Sequence, residues 1–126
     1  MPVPLYQAKA EFFRTLGHPA RIRILELLAE RDHAVHELLE QIAIEPSNLS
    51  QQLAVLRRTA LVVSRRQDGE VLYSLSVPEV RDLLRAARRI ITNRAAHEID
   101  FESELTPVAQ ETAPKTDPKT AQKTAR

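Results

Sequence analysis

At 126 residues the chain has room for one domain of about a hundred residues and a tail. Hydrophobic residues make up 43% and aromatics only 4%, so Leu, Ile, Val and Ala fill the core; the absence of Cys excludes disulfides and thiolate metal sites. The formal net charge of +1 announces no bulk nucleic-acid binder, yet residues 46–67 hold Arg57, Arg58, Arg65 and Arg66 and no acid, either a local anion-binding face or a solvated one.

Leu5, Ala8, Phe12 and Leu16 recur at helical spacing, so the pattern predicts a first amphipathic helix over residues 5–16. The opening MPVPLYQAKAEFF lacks the charged, apolar and cleavage regions of a secretory signal, and no apolar run approaches the roughly 20 residues of a membrane span, so a cytoplasmic location is expected. Gly17 and Pro19 punctuate the chain, with Pro19 placed for the first turn of a second helix. Ile22, Leu25, Leu28 and Ala29 give that helix its inner stripe, ending near Asp32. A short third helix follows with Val35, Leu38, Leu39 and Ile42 inward, closed by a turn at Glu45-Pro46-Ser47. Ser47 is the expected N-cap of a fourth helix running to about Thr59, with Leu49, Leu53 and Leu56 inward and Asn48, Gln51, Gln52 and Val55 outward.

The period then drops from 3.6 to 2. Segments 62–66 and 70–75 flank Asp68-Gly69, the signature of a hairpin closed by a type I′ turn. Pro78 and Glu79 open a last helix whose stripe of Val80, Leu83, Leu84, Ala87, Ile90 and Ile91 carries it to at least Asn93, with a weaker continuation through Ile99 and Phe101. That stripe is core or dimer seam by default, with an effector pocket as the alternative. From Thr106 onward the Pro-, Thr-, Lys- and Ala-rich chain cannot bury a core. The expected division is therefore an ordered unit over 1–105 and a disordered tail over 106–126. The tail carries four cations against two acids, leaving residues 1–105 at −1; it is solubilising, or it binds DNA nonspecifically.

A short helix, a tight turn and a second helix with a polar face form a helix-turn-helix layout. Amide side chains pair bidentately with adenine edges in the major groove, which makes Gln51 and Gln52 the expected base readers. Ser47, Asn48 and Ser50 sit near a helix N-terminus, whose free N–H groups attract phosphate. Arg57 and Arg58 suit phosphates flanking the groove, and the hairpin would be a wing carrying Arg65 and Arg66 to the backbone or minor groove. No Ser, His and acid set forms a nucleophile turn, so an enzyme is not expected.

The segment Leu16-Gly17-His18-Pro19-Ala20-Arg21-Ile22-Arg23-Ile24-Leu25 resembles the opening motif of the ArsR/SmtB family of bacterial regulators. Ser47-Asn48-Leu49-Ser50-Gln51-Gln52-Leu53-Ala54-Val55-Leu56-Arg57 is similar to that family's recognition helix, and Leu61-Val62 with the hairpin resembles its wing. The resemblance covers roughly residues 5–94. It implies a mainly α fold with a β-hairpin wing (α+β), a winged helix-turn-helix homodimer, and a regulator, as a repressor, of a palindromic DNA operator. It also implies a dimer interface on the first and last helices, here Leu5, Phe12, Leu16, Leu83, Leu84, Ala87, Ile90 and Ile91. By matching position, Asn48, Ser50, Gln51 and Gln52 inherit the reading role, two glutamines replacing the family's commoner histidine pair.

The family's metal motifs are incomplete, so no cofactor is expected. Ala34-Val35-His36 stand where the thiolate motif would lie. The site on the last helices, started at Asp82, meets Leu84, Ala95 and Glu98; in the other register His97 and Asp100 match the distal pair while Leu84 and Ala86 replace the proximal one. His18 has a structural role in the opening motif. A metal-responsive alternative would use His33 and His36 on one helix face with Glu37 or Glu40, or His97 with Asp100. A further alternative is a winged-helix module that docks protein instead of DNA.

Overall fold

The structure, a computed structural model, describes residues 2–94. Five helices and a small sheet follow in the order α1 (Leu5–Leu16), α2 (Pro19–Glu30), β1 (His33–Ala34), α3 (Val35–Gln41), α4 (Pro46–Arg58), β2 (Val62–Gln67), β3 (Glu70–Leu75) and α5 (Glu79–Arg94). The fold is the expected helical one with a hairpin. The boundary at residue 105, the tail and the continuation through Ile99 and Phe101 lie outside the described residues.

Helix α2 is the hub, packing against α4, α5 and β3. Being contacted from several sides, it buries Ala20, Ile24, Leu25, Leu27 and Leu28, a broader stripe than the expected one; Ile22 and Ala29 are only half-buried. Around it close Leu38, Ile42, Leu49, Leu53, Leu56, Val62 and Val80. Leu16 joins this core at 5% exposure, which removes it from the expected dimer surface: it is needed to seat the end of α1 on its own protomer. Arg81 of α5 donates through Nε and Nη2 to the carbonyl oxygen of Ala29, tying α5 to the negative end of α2.

Two helix starts use proline at the first helical position, where its missing N–H would have had no partner. His18 caps α2, its Nδ1 accepting from the N–H of Ala20 at 3.1 Å. Glu45, whose carbonyl oxygen accepts from the N–H of Leu49, is the N-cap of α4; Ser47 is therefore inside the helix and not its cap. Strand β1 has no counterpart in the sequence pattern. It pairs antiparallel with β3, His33 opposite Tyr73 and Ala34 opposite Leu72, giving sheet order β1-β3-β2.

The hairpin has the predicted two-residue turn. Gln67 opposes Glu70, and Asp68 and Gly69 lie at φ 52° and 82°, as a type I′ turn requires. A third positive φ, 63°, belongs to Ala60 just beyond α4. There the N–H of Ala60 donates to Arg57 O and that of Leu61 to Leu56 O, a Schellman closure with a non-glycine residue in the left-handed position. Ala60→Gly is expected to stabilise the protein by about 0.5–1 kcal/mol, the left-handed strain relieved less the entropy regained by the unfolded chain. A urea midpoint unmoved or lowered would count against this.

Candidate nucleic-acid interface

Helices α3 and α4 are joined through a turn at Ile42–Glu45, pinned by the N–H of Ile44 on the carbonyl of Ile42. Leu49, Leu53 and Leu56 drive α4 onto the core, so its opposite side faces out. Exposed on it are Ser47, Ser50, Gln51, Ala54, Arg57 and Arg58, one continuous strip by helical spacing. Asn48 and Val55 are half-buried along its flank. The side chains of Arg57 and Arg58 have no ion-pair or hydrogen-bond partner among the described residues.

Gln52 departs from expectation. It is 7% exposed, and the amide turns toward α2 instead of the exposed strip. Its Oε1 accepts from Arg21 Nε at 2.8 Å, and its Nε2 donates to Asn48 Oδ1 at 2.8 Å. Arg21 Nη1 in turn donates to the carbonyl of Thr15 in the last turn of α1. The helical phase contained the signal: at 100° per residue Gln51 lies nearly opposite the Leu49/Leu53/Leu56 stripe, whereas Gln52 lies only about 70° from its middle. Sequence reasoning missed both Arg21, hidden in the opening motif, and Ala54, a small apolar group in the middle of the exposed strip.

The two wing arginines separate because successive strand residues face opposite ways. Arg65 is held on the protein: Nη1 donates to Asp32 Oδ2 at 2.8 Å and to Ser74 Oγ at 3.0 Å, and Nη2 to Gln67 Oε1 at 3.1 Å. The Arg65 hydrogen bond holds the Asp32 carboxyl below the usual Asp value, so the pair stays formed at neutral pH and yields only as pH falls through the Asp32 pKa. Arg66 is exposed and has no such partner among the described residues, which makes it the wing's available cation.

The histidines are placed apart. His33 lies in β1, not on α3; it is 2% exposed and its Nδ1 donates to the carbonyl of Arg31. His36 is exposed on α3, its Nδ1 3.5 Å from Glu70 Oε1 across to the wing. The shared helix face expected for the two therefore does not form, because α3 begins only at Val35. Glu37 is occupied as well: its Oε1 accepts from the Ala34 N–H at 2.9 Å, and that donor lowers its pKa. Among the described residues no group of three or more His, Asp or Glu could hold a metal ion; Ala95, His97, Glu98 and Asp100 lie outside them.

Of the expected dimer residues, Leu5, Ile90 and Ile91 are exposed, and Phe12, Leu83, Leu84 and Ala87 are half-buried. Tyr6 and Phe13 add further exposed apolar surface on α1. Phe12, Val77, Val80 and Leu83 line an apolar groove of about 440 Å³ between α1 and α5. No helix of the described residues is long and apolar enough to cross a membrane.

Residues 18–64 match the family model described as bacterial regulatory protein, arsR family. The uncharacterized HTH-type transcriptional regulator Rv0081 of Mycobacterium tuberculosis is 56% identical over 89 residues, covering 70% of this chain and 78% of that protein. Its crystal structure superposes with a TM-score of 0.68 over 79% of this chain and all of that one, at 50% identity. The transcriptional repressor BigR from Xylella fastidiosa superposes at 0.64 with 35% identity, over 68% and 87% of the two chains. A homodimeric winged helix-turn-helix DNA-binding domain from Mycobacterium bovis, 22% identical, shares the fold at a TM-score of 0.63 over 77% and 91%.

Proposed function

The chain belongs to the arsR family of bacterial regulatory proteins and is a DNA-binding transcriptional regulator, not an enzyme, and from that premise we propose that it acts as a homodimeric repressor on a palindromic operator. Each α4 enters a major groove, the two lying about 34–36 Å apart on one face of the duplex. The observation that carries this reading is the exposed strip of α4, which sets Ser50, Gln51 and Ala54 between a helix N-terminus and two arginines whose side chains are unpaired among the described residues.

The chemistry divides along the strip. The Gln51 amide offers a donor and an acceptor to a base edge, and the Ala54 methyl suits contact with a thymine methyl. Ser47 and Ser50 near the first turn hydrogen-bond to phosphates, while Arg57 and Arg58 at the far end and Arg66 on the wing neutralise them, and together they fix register. Arg65, exposed but engaged by Asp32 and Ser74, steadies the wing itself, which leaves Arg66 the freer cation for the backbone or minor groove. Such a regulator works where the chromosome is, in the cytoplasm. The repressor assignment is supported by BigR, a transcriptional repressor of the same fold.

A footprint on the DNA upstream of the protein's own gene, followed by titration of two variants, tests the reading. Gln51→Ala is expected to lose about 1–3 kcal/mol on the footprinted site, roughly fivefold to over a hundredfold, with little change on scrambled DNA. Arg66→Ala is expected to weaken both DNAs alike and flatten the salt dependence by about one counterion. Wild-type protein that shows no preference between the two DNAs, or a Gln51→Ala variant indistinguishable from it, would defeat the proposal.

A further inference from the structure

We propose that Arg21 and Gln52 are positioning residues for base recognition, a buried brace that sets α4 against the end of α1 and thereby aims Gln51; this rests on the operator-binding reading above. Gln52 stands beside a stripe in which Leu49, Leu53 and Leu56 fill the interior, and it is 7% exposed. A buried amide is costly unless its donors and acceptor are met. Here the acceptor is met by Arg21 of α2 and the amide nitrogen by Asn48, one turn earlier in α4.

The brace has a fixed sense. A guanidinium only donates, so Gln52 must turn Oε1 toward Arg21 Nε, and its Nε2 is thereby committed to Asn48 Oδ1 one turn earlier in α4. At the other end Arg21 Nη1 holds the Thr15 carbonyl at 3.0 Å. Three hydrogen bonds, two of them from a charged donor, thus run from the last turn of α1 through the first turn of α2 into the first turns of α4. Gln51 is the very next residue, on the exposed side, so any rotation or slide of α4 is transmitted to its amide. Bidentate base reading tolerates only about 0.5 Å and 10–20° of error. Leucine packing alone permits small slides along the stripe; a directional chain of hydrogen bonds does not. The same brace fixes α4 relative to α1, a helix that carries exposed Leu5, Tyr6 and Phe13, and so relative to the surface on which two protomers would pair.

The test uses the full chain with the footprinted fragment and a scrambled fragment of equal length. Gln52→Met keeps the volume and removes the brace; the ratio of affinities for the two DNAs is expected to fall at least about tenfold, with circular dichroism showing a folded protein. The double variant Arg21→Met/Gln52→Met removes both partners of the Nε–Oε1 bond together, so no buried guanidinium is stranded and only the Thr15 carbonyl and the Asn48 amide oxygen each lose a donor. It is expected to melt no lower than Gln52→Met alone, with the same loss of ratio. Taking the ratio cancels the charge lost with Arg21. If Gln52→Met fails to fold, the double variant decides the matter. Equal losses on both fragments, or an unchanged ratio in a folded variant, would overturn the brace. A wild-type ratio of one would instead bring down the function reading on which it stands.

Discussion

Leu49→Ala is expected to destabilise the protein by about 2–5 kcal/mol, seen as a lower urea midpoint with an unchanged slope. Leu49 has no exposed surface and lies on the inward side of α4 among Leu53, Leu56 and the α2 core. The lost methyl groups leave a cavity against three elements that cannot all close in, since α2 is held between α4, α5 and β3. A domain of this size has only about 5–15 kcal/mol of stability in all, so the loss is a large share. Because Gln51 lies on the opposite side of the same helix, the two substitutions make complementary probes. Leu49→Ala lowers DNA binding only as far as it unfolds the protein, while Gln51→Ala lowers it in a protein of unchanged midpoint. A loss below about 1 kcal/mol for Leu49→Ala would mean that α4 is seated by something other than this stripe.

The order of elements was readable because each had its own period. Apolar spacings of three and four marked the helices, alternation marked β2 and β3, and Asp68-Gly69 supplied the two left-handed residues their turn needs. What escaped has physical reasons. Strand β1 is two residues long, too short for any period, and forms only because the edge of β3 is there to pair with it. The start of α4 slipped by two residues because Ser47 has the chemistry of a cap; Pro46 already occupies the first helical position, which moves the cap to Glu45. Gln51 and Gln52 are the same residue type side by side, and composition cannot divide them; only helical phase and the partner Arg21, thirty-one residues away, assign one to the surface and one to the interior. Arg65 and Arg66 split for the strand version of the same reason, with Asp32 claiming Arg65 across a sequence separation of thirty-three. Leu16 fitted an interface stripe by spacing, but the last residue of α1 is also where the chain turns into the core.

The double variant Ile90→Glu/Ile91→Glu is expected to convert the protein from dimer to monomer in sedimentation and to cut affinity for the intact operator by about 10²–10⁴-fold. Both isoleucines are exposed in the described chain, at 58% and 49%, and stand toward the end of α5. With Leu5, Tyr6 and Phe13 on α1, they leave large apolar side chains in water on the first and last helices, a distribution that favours a partner surface over solvent. Carboxylates at these positions keep the solvation they need in a single protomer but lose it in a two-fold interface, where each would be repeated on the facing copy and meet a like charge. The loss on the operator is large because the second recognition helix binds at the effective concentration set by the first, and separating the protomers removes that advantage without touching a DNA contact. Binding of one protomer to a single half-site should therefore stay within about twofold of the wild-type protomer's intrinsic affinity. Wild-type protein that sediments as a monomer at micromolar concentration, or a double variant that keeps full operator affinity, would refute the symmetric arrangement and leave α4 reading one half-site alone.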